Sequence, residues 1–233
     1  DGEIVFDKTP FYSEAGGQIG DSGVIVGDNF KAQVKDTVKI SDSAVVHIVT
    51  VLAGNISVGE MVNAEVDKNM RRSIARNHTA THLLHSALRT VLGDHVVQSG
   101  SYVSGERLRF DFSHSVPMTE SEIRKVEDIV TRWILDDLAV SSETMPISKA
   151  EEIKAIALFG EKYGDNVRVV QIGDVSTELC GGTHVDSTGQ IGFIKIISES
   201  PVAAGIRRIE AISGYTFFNY MRSNEQILNN TAD

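Results

Sequence analysis

His78 and His82 stand four residues apart in the run Arg76-Asn77-His78-Thr79-Ala80-Thr81-His82-Leu83-Leu84-His85. Residues at that spacing on a helix project from adjacent turns in one direction, so a single ion can take a nitrogen from each. Far downstream, Cys180-Gly181-Gly182-Thr183-His184 offers a thiol and an imidazole, again four apart, in a loop whose glycines let the backbone wrap. Each half alone has an ordinary reading: two histidines bordering the core, and a cysteine serving as a small buried hydrophobe. Together, three imidazoles and one thiolate match the mixed nitrogen and sulfur set that zinc prefers. The expectation is one Zn2+ held by His78, His82, Cys180 and His184.

The zinc-protease helix pattern is excluded, because it requires glutamate directly after the first histidine and Thr79 stands there. His85 shares the flank of the pair, where it reads either as packing against the helix or as a spare or supporting ligand. His47, His95 and His114 fall in strand or loop contexts, with nothing converging on them. No Glu or Asp is placed by sequence beside the ligands as an evident base.

The elements that carry these residues follow from periodicity. Asp67 is a good helix N-cap and Gly93 a stop, which predicts a helix over about 67–92. Met70, Ile74, Thr81, Leu84, Leu88 and Val91 form its buried stripe, and His78, His82 and His85 cluster on one flank. Before it, β-branched runs at 3–6, 23–26, 31–38, 44–49 and 61–66, separated by turn signals such as Gly27-Asp28-Asn29, predict a small β-barrel or sandwich over 1–66. After it come a hairpin (98–103 and 107–112) and a helix opening at Thr119 with a capping box to Glu122. A strand at about 140–147 and a third helix from Ser148, capped by Glu151 and ending near Gly160, follow. A strand at 167–172, a hairpin (191–198 and 206–213) and a helix-compatible end at 215–228 complete the chain. The fold class is therefore α+β: a small N-terminal β-barrel, then an α/β core over 67–233 with antiparallel sheet and a central metal-bearing helix.

Composition narrows the rest. The 233 residues, 41% hydrophobic, can bury a core as one large domain or two small ones. A single cysteine excludes an internal disulfide framework and fits a reducing, cytoplasmic setting. No apolar run approaches the roughly 18 residues that span a membrane, and Asp1-Gly2-Glu3 does not open a signal peptide. The chain does not begin with Met, which reads as processing or as a piece of something longer. Net charge of -10 disfavours nucleic-acid binding over the whole surface. Residues 71–125, however, carry more Lys and Arg than Asp and Glu. A local basic face and ordinary charge scatter both stand as readings of that stretch.

His78-Thr79-Ala80-Thr81-His82 with Cys180-Gly181-Gly182-Thr183-His184 resembles the paired signature of the alanyl-tRNA synthetase editing domain. Phe11-Tyr12-Ser13-Glu14-Ala15-Gly16-Gly17-Gln18-Ile19-Gly20-Asp21-Ser22-Gly23 resembles that family's glycine-rich segment. Arg107-Leu108-Arg109-Phe110-Asp111-Phe112-Ser113-His114 and Gly205-Ile206-Arg207-Arg208-Ile209-Glu210 extend the likeness over nearly the whole chain. Free-standing alanyl-tRNA editing proteins share this core, as does, more distantly, the threonyl-tRNA synthetase editing domain.

The resemblance implies a zinc-dependent editing core that hydrolyses the ester of serine or glycine on alanine tRNA. It implies the acceptor end of tRNA(Ala) and the remaining synthetase domains as partners. It also implies an aminoacylation domain before Asp1 and a carboxy-terminal domain after Asp233, the helical end at 215–228 favouring a synthetase piece over a free-standing trans-editing protein. The discrimination problem has a physical basis. A site that holds alanine cannot exclude smaller glycine by size and rejects an added hydroxyl only weakly.

Cys180 and Gln98 are the candidate catalytic residues on this resemblance, Gln98 following His95-Val96-Val97 at a pocket position. Thr79 and Thr81 are candidates for contact with the serine hydroxyl, or else helix-core residues. Gly16, Gly17 and Gln18 read as a tight turn, or as backbone close to the acceptor end with Gln18 presenting its amide. Arg208, with Arg71, Arg72, Arg76, Arg107 and Arg207, is a candidate phosphate contact. Zinc there would activate water or hold the substrate's amino or hydroxyl group. Two other classes remain open: a zinc-stabilised module that binds the acceptor end without chemistry, and a metallohydrolase of small esters.

Overall fold

The computed structural model describes residues 1–41, 44–157 and 163–231, which fall into two compact units, Asp1–Arg72 and Ser73–Asp233. In the first unit, β1 (Gly2–Val5), β2 (Gly23–Gly27), β3 (Phe30–Ser41), β4 (Ala44–Gly54) and β5 (Asn63–Val66) form one antiparallel sheet in the order β1-β4-β3-β2-β5. The expected barrel is not formed: β1 and β5 end the sheet and are not hydrogen-bonded to each other. Each is four residues long and largely exposed, too short a seam to close on, whereas the twelve-residue β3 and eleven-residue β4 dominate the pairing.

Along β3, buried Phe30, Ala32 and Val34 alternate with exposed Lys31, Gln33 and Lys35, the two-residue period of a half-buried strand. They pack with Phe11, Ile25 and Val49. β4 runs on to Gly54, where φ is +71° and a Cβ would meet the Asn29 carbonyl at 1.6 Å, so only glycine fits.

The second unit is built around α1 (Lys68–Leu92), whose second turn contains the boundary between the units. Asp67 caps it as expected, its Oδ1 accepting from the amides of Asn69 at 2.9 Å and Met70 at 3.0 Å. Gly93 ends it with φ +113°. Two antiparallel sheets accompany it, in keeping with the expected antiparallel core. β6 (Gln98–Val103), β7 (Leu108–Ser113), β11 (Ile194–Ala203) and β12 (Ile206–Ser213) pair in the order β11-β12-β7-β6. β8 (Val140–Pro146), β9 (Asn166–Ile172) and β10 (Ser176–Leu179) pair in the order β10-β9-β8. β10 escapes a hydrophobicity reading because three of its four residues, Ser176, Thr177 and Glu178, are polar.

α2 (Glu120–Leu135) carries the expected capping box between Thr119 and Glu122. α3 is shorter than expected, Ile147–Glu152, with Pro146 at its N-cap and no side-chain cap. Ser148 falls inside that helix, so the proposed box with Glu151 is not made; Gly160 lies outside the described residues. α4 (Gly214–Thr231) ends the described chain, with none of its residues buried.

Leu83, Leu84, Ala87 and Leu88 of α1 pack with Leu108, Phe110 and Phe112 of β7, Ile209 and Ala211 of β12, and Val126, Val130 and Ile134 of α2. Of the stripe expected on α1, Ile74, Thr81, Leu84 and Leu88 are buried, Val91 is half-buried and Met70 is exposed. Every residue from Asn77 to His85 is buried, so the middle of α1 is enclosed on all sides. Polar groups there must find partners within the protein, and that requirement shapes the site.

Candidate metal centre

The enclosed middle of α1 brings His78 and His82 against the loop that follows β10. The candidate ligand atoms of His78, His82, Cys180 and His184 all lie within 4.8 Å of one another. Cys180 Sγ is 3.3 Å from both His78 Nε2 and His184 Nε2. A zinc ion with bonds of about 2.3 Å to sulfur and 2.0 Å to nitrogen, at a tetrahedral angle, holds these atoms about 3.5 Å apart. The two 3.3 Å separations suit such an ion, and the widest pair, within 4.8 Å, draws in to meet it. The three imidazole rings crowd the same point, with centroids 4.4 to 5.3 Å apart.

The far sides of two of the rings show which nitrogen faces the gap. His82 Nδ1 is 3.0 Å from Glu178 Oε2, and its buried Nε2 has no hydrogen-bond partner. His184 Nδ1 is 3.1 Å from Thr79 Oγ1, which also accepts from the Val185 amide at 3.2 Å. With Nδ1–H donated to Glu178 and to Thr79, the Nε2 lone pairs of both rings are directed at the gap. An orphaned buried nitrogen beside a thiol and two further imidazoles is a donor set that a divalent ion completes.

Cys180 is anchored by β9. Arg168 Nη1 donates to the carbonyls of Cys180 at 3.1 Å and Gly182 at 2.6 Å, the Cys180 amide returns a bond to Arg168 O at 3.0 Å, and the Gly182 amide points at Sγ at 3.4 Å. Burial would raise the thiol, but charge on His78 and His82 and hydrogen bonds from His184 and His78 hold it well below its usual range. Burial would likewise lower His82, yet the Glu178 carboxylate and the Cys180 thiolate raise it to about 10. Burial is the main influence that takes His184 down to about 3. Filling the site with a cation displaces the proton from His82, as metal binding to imidazole requires. The helix pair is buried while Cys180 and His184 are half-exposed, so the site opens on its loop side.

The other expected residues are distributed as follows. Thr79 is fully buried and holds His184; Thr81 is buried and donates to the Asn77 carbonyl at 2.8 Å. Gln98 Nε2 donates to Ser101 Oγ at 3.3 Å, and Gln98 lines a small cavity with His85, Arg89, Val96, Val97 and Ile156. Gly16 and Gly17, at φ +57° and +82°, make a tight turn in which Ala15 and Gln18 exchange backbone hydrogen bonds. Gln18 is fully buried in the first unit, so its amide does not face solvent there.

The arginines are internally engaged. Arg208 forks onto Asp111 at 2.7 and 2.8 Å, Arg207 pairs with Glu199, Arg107 with Glu210, Arg71 with Asp21, and Arg76 donates to the Gln190 carbonyl. Arg72 is exposed.

Three contributors were not anticipated. Glu178 stands beside the ligands, contrary to the expectation that no carboxylate does, and its other oxygen meets His85 Nδ1 at 3.3 Å and Ser176 Oγ at 3.0 Å. Both oxygens are engaged and the side chain is 3% exposed, so it is a holder of rings and not a free base. The signal was its place two residues before Cys180, near the end of the strand that leads into the ligand loop. Arg168 is the second. Asn77 is the third: its amide donates to the Ser104 carbonyl at 2.8 Å and accepts from Ser213 Oγ at 2.6 Å, fixing the turn that carries His78. Asn77→Ala leaves both partners unpaired, and urea unfolding should show a loss of about 1–3 kcal/mol; unchanged stability would remove Asn77 from this role. Nor are His95 and His114 unconnected, since their rings meet at 2.9 Å.

Residues 167–210 match the family described as the threonyl and alanyl tRNA synthetase second additional domain, and residues 1–70 match the class II (A) tRNA synthetases. The alanine--tRNA ligase of Acetivibrio thermocellus is 52% identical over 98% of this chain and 26% of its own length. Those of Carboxydothermus hydrogenoformans and Bacillus velezensis are each 51% identical, over 100% and 99% of this chain and 27% and 26% of their own. Among the described residues no helix is long and apolar enough to cross a membrane. Over its whole length the chain is homologous to a segment of the alanine--tRNA ligases, and it spans about a quarter of the length of the relatives it matches.

Proposed function

We propose that this chain removes wrongly attached serine or glycine from alanine tRNA, with one zinc ion held by His78, His82, Cys180 and His184. The observation that carries the reading is the convergence of one thiol and three imidazoles from segments about a hundred residues apart, in a chain homologous to alanine--tRNA ligases. When bound, zinc would supply a Lewis acid able to polarise an ester carbonyl or hold the substrate's amino or hydroxyl group.

The chain's own residues do the rest. Glu178 and Thr79 fix two of the rings, Arg168 fixes the loop, and the half-exposed loop side admits the acceptor end. Water adds to the ester carbonyl carbon, the bond to the ribose oxygen breaks, and that oxygen takes the proton. Gln98 and the threonines are proposed to favour a hydroxyl-bearing substrate, because alanine would leave buried polar groups unpaired. Gly16, Gly17, Gln18 and Arg208 belong to the proposal as acceptor-end contacts; Gln18 and Arg208 would have to exchange internal surroundings for RNA. The remaining domains of an alanine--tRNA ligase are the proposed partners, in the cytoplasm.

A second reading rests on the four-donor geometry itself, because a closed tetrahedral set is usual for structural zinc. The chain would then bind the acceptor end without chemistry. Incubation with seryl-, glycyl- and alanyl-tRNA, with and without chelator, separates the two. Editing requires hydrolysis of the first two esters, sparing of the third, and loss of hydrolysis on chelation with helix content retained. Binding without hydrolysis, or unfolding on chelation, supports the structural reading.

A further inference from the structure

His95 and His114 lie outside the four-donor cluster. His95 lies in the loop after α1 and is exposed; His114 follows β7 and is half-buried. His95 Nε2 and His114 Nδ1 are 2.9 Å apart, with ring planes 26° apart and centroids 5.2 Å apart. The backbone at both is held by Ser113. Its Oγ accepts from the Val97 amide at 2.9 Å and donates to the His95 carbonyl at 2.5 Å, while its amide donates to the Val97 carbonyl at 3.0 Å. The His114 amide donates to the Gly205 carbonyl at 2.9 Å. The two rings are thus brought together by a scaffold independent of their own contact.

We propose that His95 and His114 form a second divalent-metal site, a two-imidazole clip suited to Ni2+ or Cu2+. The two ring nitrogens, brought side by side by separate backbone contacts, carry the assignment. Two metal–nitrogen bonds of about 2.05 Å meeting at 90° span about 2.9 Å, while a tetrahedral angle spans about 3.3 Å. Adjacent ligands of octahedral nickel or tetragonal copper meet at right angles, and imidazole donors suit both ions. At present one ring nitrogen donates a proton to the other across the gap. An ion takes that place when the donating ring moves its proton to its outer nitrogen, so binding to the neutral pair needs no net proton release. Water completes the coordination sphere on the exposed side. This clip shares no side chain with the thiolate-containing cluster, and it differs in chemistry, offering nitrogen only.

The full chain, zinc-loaded at the Cys180 cluster, is titrated with NiCl2 by calorimetry. One further equivalent with micromolar affinity is expected, and His95→Ala and His114→Ala should each weaken it by at least about tenfold, since one imidazole loses the chelate. Both variants should keep their zinc. CuCl2 should broaden the amide resonances of Val97 and Ser113 first, and Zn2+ should bind the clip more weakly than Ni2+. No further equivalent, unchanged affinity in both variants, or preference for Zn2+ over Ni2+ would overturn the assignment. Cys180→Ala should leave the clip intact, so failure there and failure of the editing reading are read separately.

Discussion

Cys180→Ala is expected to leave a folded protein that carries no zinc and deacylates seryl-tRNA only at a small residual rate. The thiolate is the only anionic donor among the four, and the one whose charge offsets part of the ion's. Three imidazoles can still bind zinc, but here two of them, His78 and His184, meet the ion through the position that Sγ organises at 3.3 Å from each. Loss of a Lewis acid worth several kcal/mol corresponds to a fall of roughly 100- to 1000-fold in rate.

The fold should survive. Cys180 is half-exposed and only borders a core made by α1, α2, β7 and β12, so truncation opens a gap at the surface and not a closed cavity. Metal analysis, circular dichroism and deacylation of seryl-tRNA on the same preparation test each part. Full activity in zinc-free Cys180→Ala would end the proposed role of the metal, whatever its effect on stability.

The halves of this centre were legible because each is local. Helical spacing aligns His78 with His82, and a Gly-Gly loop returns His184 to Cys180. Their meeting is a tertiary fact that spacing cannot state, and the likeness to a known family stood in for it. The supports were harder to see for a physical reason. Glu178 sits on β10, a strand without the apolar alternation that marks strands, and it is buried as a charged residue, which composition treats as surface. Arg168 acts through the carbonyls of a loop, and Asn77 through Ser104 and Ser213; each pairing is a tertiary contact that local spacing does not state. The failed barrel has the same origin. Five strands were visible in the pattern of Val and Ile, but whether a sheet closes depends on its end strands, and β1 and β5 each pair with one neighbour and not with each other.

Glu178→Gln should lower zinc affinity by about 10- to 100-fold while leaving the four donors in place, the range seen when the partner of a metal-bound histidine is altered. The carboxylate acts in two ways. It accepts the Nδ1 protons of His82 at 3.0 Å and His85 at 3.3 Å, fixing the tautomer that turns the His82 Nε2 lone pair toward the ion. It also completes a charge balance: a divalent cation, the Cys180 thiolate and the Glu178 carboxylate sum to zero in a site where Glu178 is 3% and His82 8% exposed at the side chain. Glutamine fills the same space but removes the charge. Its NH2 group can face one ring only as a second donor, which opposes the required tautomer for either His82 or His85. The buried centre is then left with a net positive charge, and the ion is the component free to leave. Competition with a chromophoric chelator reads the affinity directly, and added zinc should restore deacylation at saturation if the substitution acts through metal retention. Wild-type affinity in Glu178→Gln would show that His82 is positioned by helix packing alone. Activity that stays low with zinc fully bound would instead place the carboxylate in the hydrolytic step itself.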